Sequence, residues 1–316
     1  MAVSRNKKRV SPGRIILIII ICIITFIYLI PFLFVVQTSF KPWNVIKEWP
    51  PKIVFNPTIA PYVRIFTART VVSPGVKVSE EEIAQMKWYE KLTLEESNEL
   101  IVRTGDLPKR YLNSLIITIA STALTIIMAT FAAYGFSRFK MRGKDDVMFF
   151  ILSTRMLPPV VVLIPIFLMF RTIGLGDTHF GLILLYTAFN LSFAIWVLKG
   201  FIDEIPIEYE EAAMVDGYTR FQTFWKIAIP QAITGIAATA VFCFIFAWNE
   251  YAFAFILTKN VAQTVPAWLP YQMGILGYDW GGAAAGSVLF VLPALIFTII
   301  LRKNLVRGIT FGAIRK

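Results

Sequence analysis

The sequence predicts an all-α, polytopic membrane protein with six transmembrane helices and a long extracytoplasmic segment after the first of them. Three observations predict it. Hydrophobic residues make up 57% of the 316 and mean hydropathy is +0.66, against about 45 to 50% apolar residues in a soluble domain. The apolar residues gather in blocks of about the ~20 helical residues needed to cross a hydrocarbon core of roughly 30 Å. The basic residues of the short connections fall on one side if those blocks alternate across a bilayer.

Residues 1–14 form a basic N-terminus carrying Arg5, Lys7, Lys8, Arg9 and Arg14, and the first block, 15–36, follows at once. That run is too long for the apolar part of a signal peptide and no small-residue cleavage site follows it, so it reads as a retained anchor helix. The segment 37–110 is polar, and Pro42, Pro50, Pro51, Pro57, Pro61 and Pro74 favour turns in its early part. Ser79 before Glu82 and Thr93 before Glu96 match capping boxes, which predict short helices over 80–91 and 94–102. Those helices are either a solvated cap or a docking surface for an extracytoplasmic partner. A five-helix core, 111–301, follows with blocks at 111–136, 147–170, 180–200, 229–257 and 283–301, a loop at 201–228 and a tail at 302–316.

The formal charge of +11 raises nucleic-acid binding, but the positions of the charges exclude it. Arg138, Lys140, Arg142 and Lys144 lie on the side of the basic N-terminus, as do Arg302, Lys303, Arg307, Arg315 and Lys316. The opposite short loops hold Arg171 and Lys259. This asymmetry predicts that both termini are cytoplasmic. Cys22 and Cys243 sit within predicted helices, where a thiol behaves as a small apolar group. His179 is the single histidine and has no neighbours at ligand spacing, so no metal site is expected.

Pro158, Pro159 and Pro165 remove backbone donors from the third block and should kink or break it. Such backbone is tolerated in a bilayer only against protein or a water-filled cavity, which favours a transport path over a simple anchor. Arg155 lies in the same block, where a charge at helix centre costs about 2.5 to 3.5 kcal/mol on insertion scales. It either snorkels or pairs structurally, or it acts as a gate or a contact for an anionic solute. Asn190, Asn249 and Glu250 are also polar within apolar blocks, and each either lines a cavity or bonds a neighbouring helix. These four residues are the candidate translocation path.

In the loop 201–228, Pro206 suits a helix start, 208–215 suits a short helix with Ala212 and Ala213 as small contacts, and Gly217 suits a left-handed cap. A second helix begins near Thr219 and leads towards Pro230. Two short helices joined by glycine make a knob able to fill a groove on a partner and pass movement to the spans.

The order Glu211-Ala212-Ala213, three residues, Gly217, nine residues, Ile227-Ala228-Ile229-Pro230 resembles the EAA motif of ABC-importer permeases, with Ile229 in place of the usual leucine. The resemblance implies that Glu211, Ala212, Ala213 and Gly217, with Glu210 and Asp216 beside them, form a coupling helix docking on an ATPase subunit. It extends from Tyr111 to the C-terminus through Tyr111-Leu112-Asn113-Ser114, Ala133-Tyr134-Gly135-Phe136-Ser137-Arg138-Phe139, Leu157-Pro158-Pro159 with Ile164-Pro165, Trp248-Asn249-Glu250, and Leu305-Val306-Arg307-Gly308-Ile309-Thr310-Phe311-Gly312-Ala313. These segments look like the carbohydrate-uptake branch, of the maltose-permease type. What that implies is a type I permease fold in the cytoplasmic (inner) membrane and a solute that is a sugar, a polyol or a sugar derivative. The implied partners are a second, homologous permease, an ABC ATPase dimer that binds ATP and Mg, and an extracytoplasmic solute-binding protein, with membrane lipid around them. No cofactor is implied on this chain. The corresponding tail reaches the ATPase dimer interface in that type, and Gly308 and Gly312 would let this one do so.

Two other classes weigh less. The chain has no Gly-x-x-x-x-Gly-Lys-Ser/Thr phosphate loop, so it is no ATPase by itself. An ion-coupled secondary transporter should show internal repeats and buried carboxylates, and Glu250 stands almost alone. A membrane enzyme would need a nucleophile, base or metal cluster that the sequence does not offer.

Overall fold

The computed structural model describes residues 12–72, 78–274 and 277–311, with side chains described for 13–72, 78–272 and 277–300. The basic residues before Pro12, Pro74 and the side chains of the tail therefore lie outside the described residues. The chain divides into two compact units, one of 1–104 with 273–288 and one of 105–272 with 289–316.

In the first unit α1 (Pro12–Thr38) is a 27-residue apolar helix whose spanning part is exposed along its length. Then come α2 (Trp43–Ile46), α3 (Ala60–Phe66), β1 (Thr67–Val71), α4 (Glu80–Gln85), α5 (Trp88–Ser97) and β2 (Glu99–Thr104). The Ser79–Glu82 capping box forms as expected. The second expected helix, 94–102, does not form there. Its start moves to Lys87, where Glu90 accepts the Lys87 backbone N–H, and Thr93 is buried inside α5 with its hydroxyl donating to Glu90 O. Asn98 ends α5 in the left-handed region (φ +54°), and Glu99, Leu100 and Ile101 then pair with Val71, Thr70 and Arg69 of β1 as an antiparallel ribbon, with Val102 at a bulge. β-Branched residues fit a pleated, half-buried surface better than a helix. Buried charges tie this unit together: Arg64 forks onto Asp279 (3.0 and 3.1 Å), and Arg69 bridges Glu99 (2.5 Å) and Asp279 (3.4 Å).

The second unit starts with α6 (Leu107–Arg138), which begins four residues before the expected block because Leu107 and Pro108 supply its first turn. The third block is two helices, α7 (Lys144–Ser153) and α8 (Pro159–Thr172), bent by 91° about Pro158. Proline at the head of α8 costs no backbone bond, whereas inside one continuous helix it would. Next come α9 (His179–Asp203), α10 (Glu208–Val215) and α11 (Arg220–Thr223), which runs through a π-helical turn at Phe224–Ala228 into α12 (Ile229–Trp248). The fifth span therefore covers Arg220–Trp248, not 229–257, and residues 252–257 are a separate helix, α13 (Ala252–Leu257). The chain continues through α14 (Val265–Trp268), the short pair β3 (Met273–Gly274) and β4 (Gly277–Tyr278), and α15 (Trp280–Phe311). Among the described residues five helices are long and apolar enough to cross a membrane, and six spans result if the bent pair counts as one.

Helices α6, α9 and α12 pack on one another. Ala129 and Ala133 of α6, Ala194 of α9 and Ala232 of α12 are buried at the contact, where small side chains let backbones approach closely. Gly235 marks the tightest point, since a Cβ there would lie 2.3 Å from the Phe201 ring.

Candidate functional site

The knob forms as the sequence predicts. Helix α10 starts after Pro206, with Glu208, Glu210 and Glu211 in its first turn, where acidic groups face the positive end of the helix dipole. It ends at Asp216, and Gly217 turns the chain at φ +89°, a conformation open to glycine and strained for other residues. Thr219 then caps α11 by a box with Gln222.

Of the six predicted coupling residues, Glu211, Ala212, Asp216 and Gly217 are exposed on one surface of the knob. Glu210 and Ala213 are turned into the chain, 3% and 6% exposed. Glu210 meets α6. Arg138 donates through Nε to Glu210 Oε1 (2.7 Å) and through Nη2 to Ile205 O (2.8 Å), while the Tyr134 hydroxyl donates to Glu210 Oε2 (2.7 Å). The side chains of Arg138 and Glu210 are 6% and 4% exposed. Beside them Ser137 donates to Asp203 Oδ1 (2.6 Å), which also pairs with Lys199 (2.5 Å). Tyr134 also packs its ring against Phe224 (4.8 Å between centroids), at the start of the π turn. So α10 is bolted to the end of α6, and the next helix leaves through a wider turn of the kind often found at functional sites. Sequence reasoning counted Arg138 as an orientation charge and as part of the segment 133–139 that carries the resemblance, and gave it no partner. The signal it passed over was Tyr134 and Arg138 spaced by four, one helical turn, which puts both on one face.

The four predicted path residues do not form one cluster. Arg155 lies in the 3₁₀ turn Thr154–Met156 at the 91° break. It donates to Phe189 O (2.8 Å), reaches Asn190 Oδ1 (3.4 Å) and lies over the rings of Phe246 and Phe193. Asn190 is buried, its amide donating to Cys243 O (3.4 Å). Glu250 is taken up elsewhere: it accepts the backbone N–H groups of Phe253 (2.9 Å) and Ala254 (3.2 Å) and the Tyr186 hydroxyl (2.8 Å). It is thus the cap of α13. Asn249 ends α12 with its amide on Ile245 O (2.8 Å) and is exposed.

At the opposite end of α6, the loop 258–265 is held by side chains that sequence reasoning did not single out as a group. Asp177, in the left-handed region at φ +51°, accepts the backbone N–H groups of Lys259, Asn260, Val261 and Ala262 at 3.0–3.2 Å. Burial pushes the Asp177 carboxyl up, but those four bonds outweigh it and hold it below the ordinary value. Asn113 donates to Val261 O (2.8 Å) and Gln263 O (3.0 Å) and accepts from His179 Nε2 (2.8 Å); Ser114 accepts the Val265 N–H (2.9 Å). Asn113 and Ser114 therefore stand inside α6 and clamp a distant loop.

Residues 111–311 match the family described as "Binding-protein-dependent transport system inner membrane component". The chain is 30% identical over 315 residues, all of both chains, to the "Probable ABC transporter permease protein y4oR" of Sinorhizobium fredii. It is 28% identical to the trehalose/maltose transport system permease protein MalG of Thermococcus litoralis, covering 96% of this chain and 97% of that one. Its fold is similar to a chain in the crystal structure of a bacterial ABC transporter involved in alginate import, with a TM-score of 0.66 at 21% identity over 93% of this chain and 98% of that one. A knob bearing the Glu-Ala-Ala and glycine spacing, a matched region that spans the whole core and a relative aligned from end to end agree: the chain belongs to the binding-protein-dependent transport system inner membrane components, the permease subunits of ABC importers.

Proposed function

We propose that this permease is one of two homologous chains that together enclose the solute path of a sugar importer, and that its α10 knob is the coupling helix seated on the ATPase. The observation that carries the proposal is the arrangement of α10: one surface exposed, with Glu211, Ala212, Asp216 and Gly217, and the other bolted to α6 through Glu210, Arg138 and Tyr134. A helix held that way moves its partner span when it is itself moved. Both termini and the knob are then cytoplasmic, in keeping with Arg138, Lys140, Arg142 and Lys144 at the knob end of α6. The segment 37–110 and the Asp177 clamp face outward, on the side of the solute-binding protein.

ATP and Mg bind the partner ATPase. Closure of that dimer draws the coupling helices together, opens the path outward to receive solute from the binding protein, and hydrolysis resets it. Within this chain the path runs past Arg155 and Asn190 at the broken span, with Asn249 and Glu250 farther along the same core. Glu250 positions α13. Its carboxylate is occupied by two backbone N–H groups and a tyrosine hydroxyl, which speaks against its use for ion coupling. The sugar reading is supported by the trehalose/maltose relative, aligned over nearly the full chain.

The test is purification of the tagged chain from its own membranes in gentle detergent, with mass spectrometry of what comes with it. An ATPase, a different permease and ATP-dependent uptake of a sugar on reconstitution are expected. Recovery of the chain alone, together with uptake driven by an ion gradient, would overturn the proposal.

A further inference from the structure

Arg155 differs from Arg138, the arginine at the knob end of α6. Arg138 meets the carboxylate of Glu210. Arg155, inside a span, has no paired carboxylate among the described residues. Its Nη1 is used by Phe189 O and Asn190 Oδ1, and the guanidinium lies 4.7 Å from the Phe246 ring centroid and 5.7 Å from that of Phe193. Nε and Nη2 make no hydrogen bond among the described residues, so one edge of the guanidinium fork, two parallel N–H donors, is left over. That is the geometry that takes an oxyanion in two bonds.

Space and further polar groups lie beside it. A cavity of about 300 Å³ opens at the break between α7 and α8, lined by Arg155, Thr154, Leu157, Pro165, Phe189 and Ser192 among others. The hydroxyls of Thr154 and Ser192 are 3.0 Å apart on its wall. The volume is at the lower end of small-molecule sites and suits about one sugar ring. A cation without a counter-charge, surrounded by apolar span, raises the local positive potential and favours an anion over a neutral solute of equal size.

We propose that this cavity is a subsite for an oxyanion on the transported sugar, a carboxylate or a sulfate ester, held by Arg155, with Thr154 and Ser192 meeting ring hydroxyls. The solute carried is then an acidic sugar. This rests on the reading of the broken span as part of the solute path.

The test uses the complete importer in proteoliposomes, with radiolabelled galacturonate and digalacturonate as acidic probes and trehalose and maltose as neutral ones. The wild type is expected to accumulate an acidic probe in preference to both neutral ones. R155Q is expected to lose roughly tenfold or more of that uptake, the loss of a charge-assisted bond, while R155K keeps most of it. ATP hydrolysis stimulated by the binding protein should persist in R155Q, because the assembly and the coupling helix are untouched. Uptake of neutral probes alone, uptake of no acidic probe, or R155Q carrying the acidic probe at the wild-type rate would each overturn the inference. Equal losses for acidic and neutral probes would do the same, assigning Arg155 to the broken span's structure or to a lipid phosphate. Absence of stimulated hydrolysis in the wild type would sink the permease reading itself, which separates the two failures.

Discussion

Replacing Arg138 by methionine removes a guanidinium that is 6% exposed and leaves the Glu210 carboxylate buried with only the Tyr134 hydroxyl beside it. The bond to Ile205 O at 2.8 Å goes as well. Breaking a buried ion pair from one side costs about 3 to 5 kcal/mol. This pair lies at the end of a span, within reach of water once α10 lifts, so the lower end of that range applies. At about 1.4 kcal/mol per factor of ten, the latch should open roughly a hundredfold more often in R138M. Hydrogen exchange in nanodiscs reads this directly. Amides of α10 and of residues 216–218 should exchange roughly a hundredfold faster, while those of α9 stay protected and serve as the internal reference. Exchange in α10 unchanged to within about twofold would show that the pair does not hold the knob, and uniform acceleration in α9 would show global loosening instead.

Further expectations follow from single positions. Gly217→Pro cannot take φ +89°, because proline is fixed near −65°; the chain should insert and assemble, yet sugar uptake should fall while ATP hydrolysis continues, measured in the same vesicles. Asp177 has a folded pKa below its unfolded value, so its clamp is at full strength above about pH 4 and is lost as pH falls through the folded value. Proteolysis or exchange of 259–262 should therefore be flat from neutral pH to about 5 and rise only below about 4, whereas Asp177→Asn should expose the loop at neutral pH. Gly235→Val sets side-chain atoms where the Phe201 ring stands, 2.3 Å from the Cβ position; overpacking of about 1 to 3 kcal/mol or more should lower the thermal midpoint of the purified chain.

What was legible in the sequence divides along physical lines. Spans are set by bilayer thickness and composition, and hydropathy found all of them to within a few residues at most ends. The exception is the fifth, where the apolar run to Leu257 hides a helix end at Trp248. Apolar character says nothing about where a chain re-enters, and the cue was Glu250, a carboxylate that caps α13. The knob was legible because its signals are local: proline before, glycine after, acidic groups in the first turn. The ribbon of β1 and β2 was not, since its pairing joins Val71 to Glu99, 28 positions apart. The Asp177 clamp binds residues 82 to 85 positions away, which no local pattern reports. Arg138 was visible but carried two meanings, orientation in the bilayer and a partner for Glu210, and only the first can be read from charge position.

That second meaning bears on why a charged latch stands where apolar packing would hold as well. Apolar contacts are non-directional, so an apolar joint between α10 and α6 could slide by part of a turn at little cost. The three bonds on Glu210 and Arg138, at 2.7 to 2.8 Å, fix both the spacing and the rotation of the knob on the end of α6. A buried pair is weak evidence for stability, since an apolar substitute of like volume is often neutral or better. The double variant R138M/E210M separates the two roles. Protection of the α10 amides should recover most of what R138M alone loses, because no unpaired charge is left buried. Coupling should not recover: uptake per ATP hydrolysed should stay as low as in R138M, because the knob is held without being held in register. If R138M/E210M transports with the wild-type ratio, the pair serves only to keep α10 in place, and the transmission of motion must be sought in the ring contacts of Tyr134 with Phe224 at the π turn.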